Sequence, residues 1–308
     1  MRHEYTQDRR GLKEQSALNY RLAISLLLLT QLALFSNSSL AKESKISGLA
    51  EVNGTRLFYE TAGKGRTLVL VHGGLVDSRL WDDQFGAFAK HYRVIRYDLR
   101  GFGRSAYPTG PFSHVDDLYA LLKFLKVERC YLVGLSLGSM IAADFTLEHP
   151  EMVERLVLTA PGLRGASAPR NEKARAVYKV AETEGRDKAI DAWMENDFFA
   201  TGKDNNPAYD ERMRAMLRDN YKTWGPTPTQ LVWNWPKQQT ADRLPEIKAP
   251  TLVIVGDKDA PSILVNAKVY EETIPGARKI IIKGVSHHLV MEKPKEYNRL
   301  VLSFLKGK

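Results

Sequence analysis

From about residue 47 onward, short apolar and β-branched runs alternate with stretches whose apolar residues recur every three to four positions. Strands covered on both faces read as continuous apolar runs, and the helices that cross between them read with helical periodicity. The order therefore predicts an α/β chain, a mostly parallel central sheet with helices on both faces. The strand runs are 67–71, 93–97, 131–134, 153–159, 251–255 and 278–283, and the helical stretches are 80–89, 114–125, 139–148, 263–274 and 294–306. Ahead of them, 49–52 and 56–61 flank Asn53 and Gly54, a two-residue hairpin turn.

The alternation breaks once. From Pro161 to about Arg243 no strand run appears, and charged helical segments carry Trp193, Phe198, Phe199, Tyr209, Tyr221, Trp224, Trp233 and Trp235. This predicts a helical cap over 161–243, inserted into a core made of 47–160 and 244–308. Most of the eight aromatics are expected to pack among the cap helices and a minority to line a pocket.

Residues 22–35 are a mostly apolar stretch preceded by Arg21 and followed by small and polar residues up to Ala41. The stretch is shorter than the ~20 residues that cross a bilayer as a helix, and Ser39 and Ala41 suit a signal peptidase. Residues 1–41 are thus expected to be a signal peptide cleaved after Ala41, giving a periplasmic or secreted protein. The alternative is a retained N-terminal anchor, and a membrane partner is expected only in that case. Arg9 and Arg10 are a weak twin-arginine match, since the Gly11, Leu12, Lys13 that follow lack a second apolar residue.

The whole chain of 308 residues has a formal charge of +9 at pH 7, and without the first 41 residues about +7 remains. The later cations are dispersed among acids, as at Arg212 and Arg214 beside Asp210 and Glu211, so no nucleic-acid partner is expected. A single cysteine, Cys130, excludes an intrachain disulfide and reads as buried packing. No metal-ligand spacing or phosphate loop appears, and no cofactor or metal is expected.

The strongest local signal is Gly134-Leu135-Ser136-Leu137-Gly138, between an apolar strand and a helical run. A GxSxG alone is weak evidence. In this context it reads as a nucleophile elbow, a sharp turn that presents a serine hydroxyl and needs small neighbours two positions either side. Such a serine requires a base and an acid to orient it. Adjacent His287 and His288 follow the last strand run, and Asp257 and Asp259 follow the one ending at Val255.

These motifs, with His72-Gly73-Gly74, Asp98 to Ser105, Gly256 to Asp259 and Gly284 to His287, resemble those of the α/β-hydrolase superfamily over residues 50 to 306. The cap-bearing branch is the nearest in pattern: enol-lactonases, carboxylesterases, cofactor-free haloperoxidases and carbon–carbon bond hydrolases. The resemblance implies Ser136 as nucleophile, His287 in preference to His288 as base, and Asp259 in preference to Asp257 as the orienting acid. It also implies an oxyanion hole of the Gly74 and Leu137 amides, and structural roles for His72, Asp98, Arg100 and Ser105.

The expected function is hydrolysis of a carboxylic ester, lactone or thioester through an acyl-serine, with a small-molecule substrate bearing an apolar acyl group. Carbon–carbon cleavage, aminopeptidase action or perhydrolase chemistry on the same triad is the first alternative, and a non-catalytic ligand-binding receptor the second. Glu195 and Asp197 are the candidates to receive the amine of a peptide substrate, and their helical spacing equally suits a solvated face.

Overall fold

The computed structural model describes residues 45–167, 172–225 and 233–307. The expected signal peptide lies outside them. No helix among the described residues is long and apolar enough to cross a membrane.

Eight strands form one sheet in the order β1-β2-β4-β3-β5-β6-β7-β8. The antiparallel part is β1 (Ile46–Val52) with β2 (Thr55–Ala62), and β2 with β4 (Arg93–Tyr97). Asn53 and Gly54 join the first two with φ of 48° and 67°, the pair of positive angles that a two-residue hairpin turn demands. The rest is parallel: β4 with β3 (Thr67–Val71), then β5 (Cys130–Leu135), β6 (Val153–Thr159), β7 (Thr251–Gly256) and β8 (Arg278–Ile282). Every residue of β3, β5 and β7 is buried, as continuous apolar runs require when helices cover both faces.

The core helices are α1 (Asp82–Ala89), α2 (His114–Phe124) and α3 (Leu137–Glu148). The helix expected at 80–89 is split. Asp77 accepts the Arg79 amide and caps a 3-10 turn, Ser78–Trp81, before α1 begins with Asp82 and Asp83 at its positive end. Between β6 and β7 lies the helical insert: α4 (Glu172–Thr183), α5 (Arg186–Met194), α6 (Gly202–Asn205), α7 (Tyr209–Asp219), α8 (Tyr221–Trp224) and α9 (Thr240–Arg243). After it come α10 (Pro261–Thr273), the unanticipated short α11 (Leu289–Glu292) and α12 (Pro294–Leu305). Cys130 is fully buried, and burial pushes its thiol up to about 12, so it packs as a neutral side chain.

The insert is clamped at its root. Asp144 on α3, 2% exposed, accepts Arg164 Nε at 2.9 Å and Thr240 Oγ1 at 2.6 Å, one from each end of the insert. Arg164 also donates to the carbonyls of Pro236 and Gln238, at 3.1 and 2.8 Å. Removing one member of a buried pair leaves the other charge uncompensated, which costs about 3–5 kcal/mol. Asp144→Ala should lower unfolding stability by that amount in urea titrations; a change under about 1 kcal/mol would show that the clamp contributes little.

Candidate active site

In a parallel sheet the strands share a C-terminal edge, and ligands bind where the connections on either side diverge. Here the loops after β3, β5, β7 and β8 meet at that edge and bring His72, Ser136, Asp259 and His287 to it.

Ser136 stands between β5 and α3 with φ 54° and ψ −112°, a conformation that non-glycine residues adopt only under strain. Close backbone packing holds it there. A Cβ at Gly134 would lie 2.2 Å from the Gly138 carbonyl oxygen, and a Cβ at Gly138 would lie 2.2 Å from that of Val71. The Ser136 amide donates to the Thr159 carbonyl at 3.0 Å. The Ser139 hydroxyl ties the turn to β6, donating to the carbonyls of Gly134 at 2.7 Å and Thr159 at 3.0 Å. The Ser136 side chain does not cap α3, so its hydroxyl is left to the cavity that it lines.

His287 Nδ1 lies 3.0 and 3.1 Å from the two carboxylate oxygens of Asp259. Both residues are buried at 5% exposure, and the Ala260 amide also donates to Asp259 Oδ1, at 2.7 Å. A nitrogen facing a carboxylate carries the proton, which leaves Nε2 as the acceptor. Asp257 turns elsewhere, accepting the Gly284 amide at 2.6 Å.

His288 lines the same cavity as Ser136, but its Nδ1 is engaged elsewhere, 3.1 Å from the Tyr209 hydroxyl and 3.3 Å from the Phe198 carbonyl. Burial, then the neighbouring His287, holds its imidazole well below the ordinary range, so it stays neutral. Ser136 and His287 line one cavity of about 250 Å³ and make no hydrogen bond with each other. Such bonds are often long without substrate and tighten in the bound complex.

Gly74 and Leu137 line the same cavity, and a Cβ at Gly74 would come within 3.9 Å of the Leu137 side chain. Leu137 opens α3, where the first amides have no intrahelical acceptor and the dipole end is positive, favourable to an anion. His72 is tied into its loop: Nδ1 lies 2.7 Å from the Gly73 carbonyl oxygen, and Nε2 accepts the Leu99 amide at 2.9 Å. Asp98 accepts the amides of Ser78 and Arg104, Ser105 donates to the Asp98 carbonyl, and Arg100 pairs with Asp117.

One expectation about the cap needs correction. Five of the eight aromatics, Trp193, Phe198, Phe199, Trp224 and Trp233, line the cavity, so most of them serve it instead of a minority. Trp193, Phe199 and Trp224 do both jobs, being nearly fully buried in the cap with one face on the cavity. Phe198 lies 4.5 Å, centroid to centroid, from the His287 ring. Of the two readings of Glu195 and Asp197, the structure fits the solvated face: neither is on the cavity wall, and Asp197 pairs with Lys173 at 2.8 Å. Sequence reasoning missed Leu75, Phe102, Met140 and Thr223 on the wall, since nothing local distinguishes a loop or helix residue that faces a cavity from one that packs. Among the described residues the wall has no Asp, Glu, Lys or Arg, and no group of three His, Cys, Asp or Glu is arranged to hold a metal.

A family model for the alpha/beta hydrolase fold matches residues 66–294. "Carboxylesterase YbfK" of Bacillus subtilis (strain 168) is 28% identical over 254 residues, which span 78% of this chain and 80% of that protein. The enol-lactonase from Burkholderia xenovorans LB400 superposes with a TM-score of 0.72 at 27% identity, over 84% of this chain and 100% of its own. A thermophilic esterase from Thermogutta terrifontis superposes with a TM-score of 0.71 at 25% identity, over 85% of this chain and 98% of its own.

His114, beneath the cap, is 3% exposed with neither ring nitrogen hydrogen-bonded, and packs edge-on against Phe112 and Trp233. Burial pushes its imidazole down to about 3. It stays neutral when folded, whereas the unfolded chain takes up a proton near 6.5, so stability is full above 6.5 and is lost as pH falls toward 3. His114→Phe should therefore raise the Tm more at pH 5 than at pH 8 by calorimetry. An equal shift at both would contradict a neutral buried imidazole.

Proposed function

Since the chain belongs to the alpha/beta hydrolase fold family, we propose that it is a serine hydrolase that cleaves a carboxylic ester or lactone through an acyl-enzyme. The observation that carries the reading is a strained, uncapped Ser136 sharing a cavity with an imidazole whose far nitrogen is held by a buried carboxylate. In the proposed reaction Ser136 Oγ attacks the carbonyl carbon as His287 Nε2 takes its proton. Asp259 holds the tautomer and stabilises the imidazolium that forms. The Gly74 and Leu137 amides receive the oxyanion. The imidazolium then protonates the departing alcohol, and water repeats the sequence to release the acid.

The cavity wall sets the substrate reading. At about 250 Å³ it lies below the ~300–1,000 Å³ of sites for drug-sized ligands, and its described wall is uncharged and largely aromatic. Both properties support a compact, neutral, apolar or aromatic acyl group. The absence of a carboxylate pair on the described wall works against an aminopeptidase.

A fluorophosphonate probe should label the wild type and not Ser136→Ala. An unlabelled wild type would favour a receptor that keeps the fold without the chemistry. His287→Ala should lower ester turnover about 10⁴-fold and His288→Ala far less, and the reverse ranking would move the base to His288. On p-nitrophenyl esters of graded length, kcat/KM should peak at short acyl chains; a long-chain optimum would overturn the size argument.

We further propose that the chain is exported and cleaved after Ala41, from the apolar run at 22–35 and the small residues at Ser39 and Ala41. N-terminal sequencing of the fractionated protein should begin at Lys42. An intact N-terminus in the membrane fraction would establish the anchor instead.

A further inference from the structure

Glu292, at the end of α11, is 2% exposed and forms no ion pair among the described residues. A carboxyl group buried without an ion-pair partner needs its oxygens satisfied by hydrogen bonds. Four donors converge on it. The Ser286 amide lies 3.1 and 3.2 Å from its two oxygens, and the Ser286 hydroxyl donates to Oε1 at 2.8 Å. Thr201 Oγ1 and Asn205 Nδ2 donate to Oε2, at 2.5 and 3.2 Å. A glutamine has one acceptor oxygen where the carboxylate has two, so it would leave donors unmatched.

The donors come from two parts of the fold. Ser286 directly precedes His287 in the loop after β8, whereas Thr201 and Asn205 lie at α6 in the cap. Asn205 Nδ2 also donates to the Gly284 carbonyl at 2.8 Å, at the start of the histidine loop. The cap segment so fastened includes Phe198 against the His287 ring and Phe199 against His288, both on the cavity wall.

We propose that Glu292 is a positioning residue that locks the His287 loop to the cap, so that the imidazole meets Ser136 only while the cap segment 198–205 is seated. This rests on the reading of His287 as the base. Glu292 touches no substrate. Its loss should act on the reacting geometry, where a misplacement of about 1 Å costs up to ~10²-fold.

The test is Glu292→Gln in the full chain, with p-nitrophenyl butyrate as substrate and a fluorophosphonate to time attack by Ser136. The expected result is a fall in kcat of about 10- to 100-fold with KM within about twofold, and a parallel fall in the labelling rate. Thr201→Val, which removes one donor from the cap side alone, should lower kcat about 3- to 10-fold, with little further loss when combined with Glu292→Gln. Wild-type kcat in folded Glu292→Gln, a loss confined to KM, or fully additive effects would each overturn the proposal. If Glu292→Gln does not fold, Thr201→Val decides, and an unchanged kcat there overturns it. Full turnover by His287→Ala would overturn this inference together with the triad reading, whereas an inactive His287→Ala beside a fully active Glu292→Gln would overturn this one alone.

Discussion

The site depends on one backbone constraint: Ser136 is held at φ 54° because Gly134 and Gly138 let three chain segments close on the turn without a side chain between them. The strain stays in the fold because the surroundings over-determine it. The Ser136 amide is bonded to β6, the Ser139 hydroxyl bridges β5 and β6, and the Gly138 Cα is packed against the Val71 carbonyl. Relaxing the turn would break several of these contacts together, so the energy is retained where it presents a hydroxyl.

Around that turn the molecule spends polar interactions on joints. Asp144 with Arg164 and Thr240 holds the root of the cap, and Glu292 with Thr201 and Asn205 holds its far edge to the histidine loop. Asn220 adds a third joint, donating to Asp77 at 2.9 Å and accepting the Gly103 amide at 2.7 Å. Apolar contact alone would let a cap slide, because burial is non-directional. Buried, oriented hydrogen bonds give it one seat, and the aromatic wall of the cavity is placed by that seat.

Legibility in the sequence followed how local the cause of each feature was. The strand 67–71 is present over the same residues that its apolar run delimits, because a strand buried on both faces declares itself residue by residue. The turn at Asn53 and Gly54 was readable for the same reason, since positive φ restricts the residue types. The split of the first helix was not, because Asp77 competes as a cap through a single hydrogen bond. The share of cap aromatics on the cavity is larger than the sequence suggests, because a helix pattern says which residues are apolar and not which surface they meet.

The sequence by itself determined the α/β order, the serine turn and the short list of histidines and aspartates near it, because each depends on neighbours within a few positions. Tertiary structure set which way the members of each pair are turned. Asp259 faces His287 while Asp257 turns to the Gly284 amide, and His288 turns to Tyr209. It alone placed Glu292 between loop and cap, since its donors lie 6, 91 and 87 residues away along the chain. Contacts at such separations are set by how strands and helices pack, and no local preference encodes them.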